Sequence, residues 1–239
     1  CAQDASCPTA CCEAEAQAEE TTVDGIDRAA IHALAYVITT RGIPCSQVVL
    51  FGRSLGTGTA LRLAKVAQET WHWTVGGVVL QCPYISIKQI VTDYACAATS
   101  FLIPTYYDNL ATLRQLCTQV PDAETFKPFV PLLILHGERD EIIWPYHGRA
   151  LYKEALRLGH PSVEAAFAPE ATHNWWNLCE DIICPTSQFI KKHVIQRPNA
   201  LQGQTTAATC RPSYPCQSGT PQTAGKILQL VREVNGEIL

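Results

Sequence analysis

The chain has 239 residues, 47% hydrophobic and 17% charged, a composition that supports a buried core and excludes a disordered or fibrous chain. A formal charge of -4 with no Lys/Arg cluster on any predicted helix leaves no electrostatic footprint for nucleic acid. No apolar run is long enough to span a bilayer, and the N-terminus lacks the basic and apolar regions of a secretory signal; a start at Cys1 with no methionine anywhere is what a fragment or processed piece would show.

Residues 1–20 are rich in Ala, Glu and Cys without apolar periodicity and read as a disordered lead-in. No Cys-x-x-Cys or Cys/His ligand spacing joins Cys1, Cys7, Cys11, Cys12, Cys210 or Cys216, so no structural zinc is expected and Cys7, Cys11 and Cys12 read as solvated thiols rather than lipid or metal sites. Cys45, Cys82 and Cys96 lie in or beside apolar segments, as small hydrophobes of a reduced protein do.

A domain is expected over residues 21–195. Val23, Ile26, Ala30, Leu34, Val37 and Ile38 share one helical face, Thr22 is a plausible N-cap, and Gly42 and Pro44 end the helix. Val48–Phe51 has no polar alternation, as a strand buried on both sheet faces reads, and Leu55 to Val66 resumes helical spacing. Val75–Cys82 is a second buried strand, so strand, helix and strand imply a parallel sheet.

Residues 83–128 form a less regular insertion: a helical pattern over Ile85–Tyr94, an apolar and aromatic stretch over Thr99–Tyr107, and a short helix within Asp108–Leu116. Its aromatic residues, Phe101 and Tyr107 among them, either line a site for an apolar substrate or cover the end of the sheet. Leu132–Leu135 is a third buried strand with Asp140 past its carboxyl end, followed by a helix over Tyr146–Leu158. A strand in SVEAAFAP precedes His173, and a last helix is predicted over Trp175–Ile195 with a bend at Pro185. Residues 196–225 read as a flexible linker, and 226–239 as a terminal or partner-binding helix that frays unless docked.

Gly52-Arg53-Ser54-Leu55-Gly56 falls at the turn between the first strand and its helix. A serine there is strained and exposed above the sheet, Gly52 and Gly56 leave room for the turn, and the Leu55 amide points at a developing oxyanion from the positive end of the helix. No Lys-Ser/Thr pair follows, which argues against a phosphate loop. Ser54, Asp140 and His173 succeed one another past the ends of apolar strands, the order nucleophile, acid, base. Glu141 competes as the acid, and His136 and His147 as the histidine.

From Thr22 to Ile195 the chain resembles the α/β-hydrolase superfamily, most closely the α/β-hydrolase-domain protein 17 family, with the related protein 13 and Bem46-like families next. The resemblance rests on VVLFGRSLGTGTALRLA, PYISIKQIV, YDNLATLRQ, LLILHGERDEIIWPYHGRALYKEA and ATHNWWNL, in order. It implies a mostly parallel α/β sheet flanked by helices and a Ser54, Asp140, His173 triad. It also implies a serine hydrolase of esters or thioesters, depalmitoylase-like, with no metal or organic cofactor. Substrates would be acyl esters or S-acylated proteins, met in the cytoplasm or at the periphery of a membrane. The family fold has further strands ahead of the first helix, and a loop after one of them gives a second oxyanion donor. Residues before Thr21 show neither that strand pattern nor a His-Gly turn, so Leu55 is the oxyanion donor expected here and Val48–Phe51 is expected as an open edge. The competing reading is a catalytically inactive hydrolase fragment or partner-binding module.

Overall fold

The computed structural model describes residues 22–95, 106–118 and 129–196. The readings made for the N-terminal cysteines, Phe101, the linker and the terminal helix lie outside these residues. Helix α1 (Val23–Ala35) starts where the Thr22 hydroxyl accepts the Gly25 N–H at 3.0 Å and runs into a π-helical turn, Tyr36–Thr40. Strand β1 (Val49–Arg53) leads into α2 (Gly56–Thr70), then β2 (Gly77–Gln81). The insertion holds α3 (Ile87–Tyr94), capped by Ser86, and α4 (Asn109–Cys117), capped by Asp108. Strand β3 (Leu132–Gly137), α5 (Tyr146–Arg157) and β4 (Val163–Ala168) follow. The last helical stretch begins at Leu178 rather than Trp175, because Asn177 caps it; π-helical turns flank α6 (Cys184–Ile190), which has Pro185 in its first turn.

Among the described residues the four strands form one wholly parallel sheet in the order β1-β2-β3-β4. The absence of polar alternation has a direct cause. Val78, Leu80, Leu132 and Ile134 pack into a core with α1, α2, α4 and α5, while Val79, Leu133 and Leu135 face the opposite way onto Phe189 of α6. Both faces of β2 and β3 are therefore covered. Among the described residues strand β1 is an edge, with Phe51 47% exposed, and an apolar groove of about 460 Å³ runs along it between α1 and α2, lined by Ile26, Ala30, Val37, Leu50, Phe51 and Leu63. No helix among the described residues is long and apolar enough to cross a membrane.

Two buried histidines tie the helices to the sheet. His147 on α5 donates to Asp93 of α3 at 2.8 Å and accepts the Ile85 N–H at 3.2 Å; His160 donates to the Val130 carbonyl at 3.1 Å and accepts the Ser162 N–H at 3.2 Å. Burial holds both imidazoles below the ordinary histidine value, against the pull of Asp93 on His147 and of the Val130 carbonyl on His160. A depressed folded-state value means that the unfolded chain takes up the proton first, so the associated stability is complete above about pH 6.5 and is lost as the pH falls below it. Thermal unfolding should show Tm dropping between pH 7.5 and 5.5, with a shallower drop in His160→Gln. An unchanged slope in that variant would contradict the assignment.

Candidate active site

The turn after β1 is built from the sheet outward. The Ser54 N–H donates to the Gln81 carbonyl of β2 at 2.9 Å, continuing the parallel ladder one residue beyond Arg53. Ser54 then takes φ 51°, a left-handed conformation that a non-glycine residue holds only when its surroundings enforce it. Those surroundings are specific. The Ser54 carbonyl accepts from the Thr57 N–H at 3.0 Å and its hydroxyl at 2.7 Å, and Asn109 of α4 donates to the Thr57 hydroxyl at 3.1 Å. The Tyr84 hydroxyl donates to the Leu55 carbonyl at 3.2 Å. A Cβ on Gly52 would stand 2.8 Å from the Gly56 carbonyl carbon and the Thr57 Cα, and closer still to the Gly56 oxygen. A Cβ on Gly56 would meet nothing within 4 Å, so only Gly52 is sterically required, which corrects the expectation that both glycines make room for the turn. Leu55 N-caps α2, and its own N–H finds no acceptor among the described residues. An anion placed there would meet that free donor at the positive end of α2.

Asp140 sits on the turn that closes β3, 3% exposed, with its N–H donating to the Gly137 carbonyl. Its Oδ1 accepts the Ile142 and Ile143 amides at 2.9 and 2.8 Å. His173, on the loop after β4 and 5% exposed, places Nδ1 2.9 Å from Asp140 Oδ2 and Nε2 3.1 Å from Ser54 Oγ. Burial alone would raise the Asp140 carboxyl. Hydrogen bonds from His136, the Ile143 amide, His173 and the Cys82 thiol outweigh burial and hold it well below the usual carboxylate range. A carboxylate can only accept, so the His173 proton lies on Nδ1, leaving Nε2 to accept from the Ser54 hydroxyl. The ordered series hydroxyl, imidazole, carboxylate can relay a proton from Ser54 to His173 and stabilise the imidazolium that forms.

The competing residues are placed elsewhere. Glu141 meets the His173 backbone N–H at 3.4 Å rather than the ring. His136 is buried behind Asp140, with Nε2 2.8 Å from the Ile143 carbonyl and 3.5 Å from Asp140 Oδ2, and His147 is engaged with Asp93. Tyr107, a candidate substrate residue, is only 2% exposed. It packs with Tyr84 and Ile143 against α2, receives the Thr59 hydroxyl at 3.1 Å, and fills the space that Gly58 leaves open. This part of the insertion braces α2 instead of lining a groove, because both tyrosine rings find their contacts at Gly58 and among Ile143, Val23, Ile87 and Ile90. Sequence reading missed Arg53, whose guanidinium donates to the His173 carbonyl and to Asn174 Oδ1, each at 2.8 Å, tying β1 to the His173 loop. It also missed Cys82, one residue past β2, which takes φ 50° and turns its buried thiol toward Asp140. No local signal marks either contact, since both partners lie far away in the chain.

No family profile matches the chain. Among curated proteins it is similar to human Protein ABHD12B, 30% identical over 176 residues that make up 72% of this chain and 48% of that protein. It is also similar to the alpha/beta hydrolase domain-containing protein 17C of Xenopus tropicalis, 26% identical over 68% of this chain and 43% of that one. The chain thus spans about half the length of the curated relatives it matches. Among solved structures, an alpha-beta hydrolase from Vibrio vulnificus aligns with a TM-score of 0.55 at 18% identity, over 71% of this chain and 57% of that one, which shows the fold. With hydrolase-domain relatives in sequence and a parallel sheet that superposes on a hydrolase, the chain is similar to α/β-hydrolase-domain proteins and has part of the α/β-hydrolase fold.

Proposed function

We propose that the chain carries the catalytic centre of a serine hydrolase acting on carboxylic ester or thioester bonds. The observation that carries this reading is the unbroken hydrogen-bonded series from Ser54 through His173 to an ionised Asp140, with Ser54 strained at the N-terminus of α2. His173 Nε2 takes the hydroxyl proton as Ser54 Oγ bonds to the acyl carbon, and the Leu55 N–H faces the oxyanion that forms. Collapse breaks the bond to the alcohol or thiol, which leaves with the proton from His173. Water then repeats the sequence on the acyl-serine, releasing the acid and restoring Ser54. Asp140 remains a carboxylate throughout and holds the imidazole in one tautomer.

S-acylated proteins are the finer substrate reading. Its support is the rim: Leu55, Ile142, Trp144 and Trp175, each one to four residues from a member of the series, are 43 to 63% exposed and offer apolar surface to an acyl chain. A buried methylene contributes about 0.8 kcal/mol at most, so kcat/KM for a series of acyl thioesters should climb steeply with chain length. Hydrolysis abolished by Ser54→Ala with a flat length profile would retain the serine hydrolase and remove the long-chain substrate. Absence of any Ser54-dependent hydrolysis in the full-length protein would favour the second reading, a partner-binding module, whose support is the apolar groove that the described residues form along β1.

Arg53 bears on the same chemistry by holding the His173 loop. Hydrogen bonds from a charged group contribute about 1.5–3 kcal/mol, so Arg53→Ala should lower kcat by roughly ten-fold or more, with KM little changed and partial recovery in Arg53→Lys. An unaltered kcat would show that the loop is held by other contacts.

A further inference from the structure

We infer that Cys82, Asp140 and His173 form an inhibitory binding site for a thiophilic divalent cation of the zinc type, which switches off the proposed serine chemistry by capturing the wrong nitrogen of its base. The Cys82 Sγ, an Asp140 carboxylate oxygen and a His173 ring nitrogen all lie within 4.8 Å of one another, and all three residues are buried. Zinc takes thiolate at about 2.3 Å and imidazole or carboxylate at about 2.0–2.2 Å, which sets neighbouring donor atoms roughly 3.3–3.8 Å apart in a tetrahedron. The site meets that requirement through small adjustments, the thiol closing in while Asp140 and His173 part from their 2.9 Å hydrogen bond.

Two features of the backbone and charge set this cluster apart from a chance grouping. Cys82 directs its thiol inward through a left-handed backbone conformation, φ 50°, at the strand position beside Ser54, where φ is 51°. Strain repeated at adjacent strand ends points to function on both strands. Asp140, moreover, is a buried carboxylate that no lysine or arginine pairs with among the described residues; its ion-pair partners are the two histidines, and its other donors are backbone amides and a thiol. A divalent cation bound to one carboxylate and one thiolate leaves the site with no net charge.

The proton balance follows from the ligands. Cys82 releases its thiol proton to solvent on binding, and the neutral His173 ring transfers its proton from Nδ1 to Nε2 so that Nδ1 can hold the metal. Nε2–H then donates to Ser54 Oγ instead of accepting from it, and the serine has no base. This inference deepens the serine hydrolase reading and rests on it for the inhibition, but not for the binding.

The test uses Co²⁺ as a spectroscopic probe and Zn²⁺ as the inhibitor, on the full-length protein in its reduced form. Co²⁺ should produce a near-ultraviolet thiolate-to-cobalt band whose Cys82-dependent part is lost in Cys82→Ser and, independently, in His173→Gln; cysteines elsewhere contribute equally to all three proteins and cancel in the difference. Zn²⁺ should slow fluorophosphonate labelling of wild type, with reversal by a chelator. Losing even an outer-shell partner weakens metal affinity by about 10–100-fold, so Cys82→Ser should need on the order of 100-fold more Zn²⁺ for the same effect. If Cys82→Ser does not fold, the His173→Gln difference spectrum decides. Identical cobalt spectra in wild type and the variants, or labelling equally sensitive to Zn²⁺ in wild type and Cys82→Ser, would overturn the site. Protein that shows the cobalt difference but no labelling without metal would instead retain the site and refute the hydrolase reading.

Discussion

Replacing His173 by alanine should lower kcat for ester hydrolysis by roughly 10⁵–10⁶-fold, and Asp140→Asn by about 10⁴-fold, the ranges found when the base and the acid of such a triad are removed from other serine hydrolases. The two losses differ in origin. Without the imidazole, Ser54 has no acceptor for its proton, whereas the asparagine variant keeps the ring and presents it in the wrong tautomer, because an amide N–H facing Nδ1 shifts the ring proton to Nε2. The double variant should be no worse than His173→Ala alone, since the pair acts as one unit. Steady-state kinetics on an activated ester measures all three proteins. Losses below ten-fold in either single variant would contradict the assignment of the base or the acid.

The largest structural effect is expected at Gly52. An alanine Cβ there would meet the backbone of Gly56 and Thr57 rather than a movable side chain, so no rotamer change relieves the clash and the turn that presents Ser54 must open. A loss of about 3 kcal/mol is expected, the upper part of the range for forced overpacking, together with loss of activity. Gly56→Ala supplies the control. Its Cβ enters open space in the first turn of α2, where exchanging glycine for alanine removes backbone entropy from the unfolded chain, so stability should be unchanged or higher by about 0.5–1 kcal/mol. Chemical unfolding of both variants decides the point; equal effects at the two glycines would mean that the turn is not packed as described.

How much was legible from sequence depended on whether a feature was local. The helical period of 3.6 residues, the cap at Thr22, the turn that holds Ser54 and the unbroken apolar strands are properties of short segments, and their placement in the structure follows the sequence within a few residues. The order of Ser54, Asp140 and His173 past the ends of β1, β3 and β4 was equally readable, because a parallel sheet brings those ends to one side. What was not readable lies between distant segments. Tyr107 had the composition of a substrate contact, yet the cavity left by Gly58 takes its ring, and a sequence does not show which aromatic residue fills which gap. Arg53 spans 120 positions to reach the His173 carbonyl. Cys82 resembled a small core residue, and only the folded chain shows its thiol within 4.8 Å of Asp140 and His173.

The central claim is that Ser54 is a nucleophile activated by His173. Treating the full-length protein with a fluorophosphonate and mapping the adduct by peptide mass spectrometry tests it most directly, since the label forms a covalent bond to an activated serine oxygen and needs no knowledge of the natural substrate. The account predicts one stoichiometric adduct on Ser54, absent in Ser54→Ala and slowed by several orders of magnitude in His173→Ala. Adducts on a different serine, or labelling of Ser54 at the same rate without His173, would contradict it.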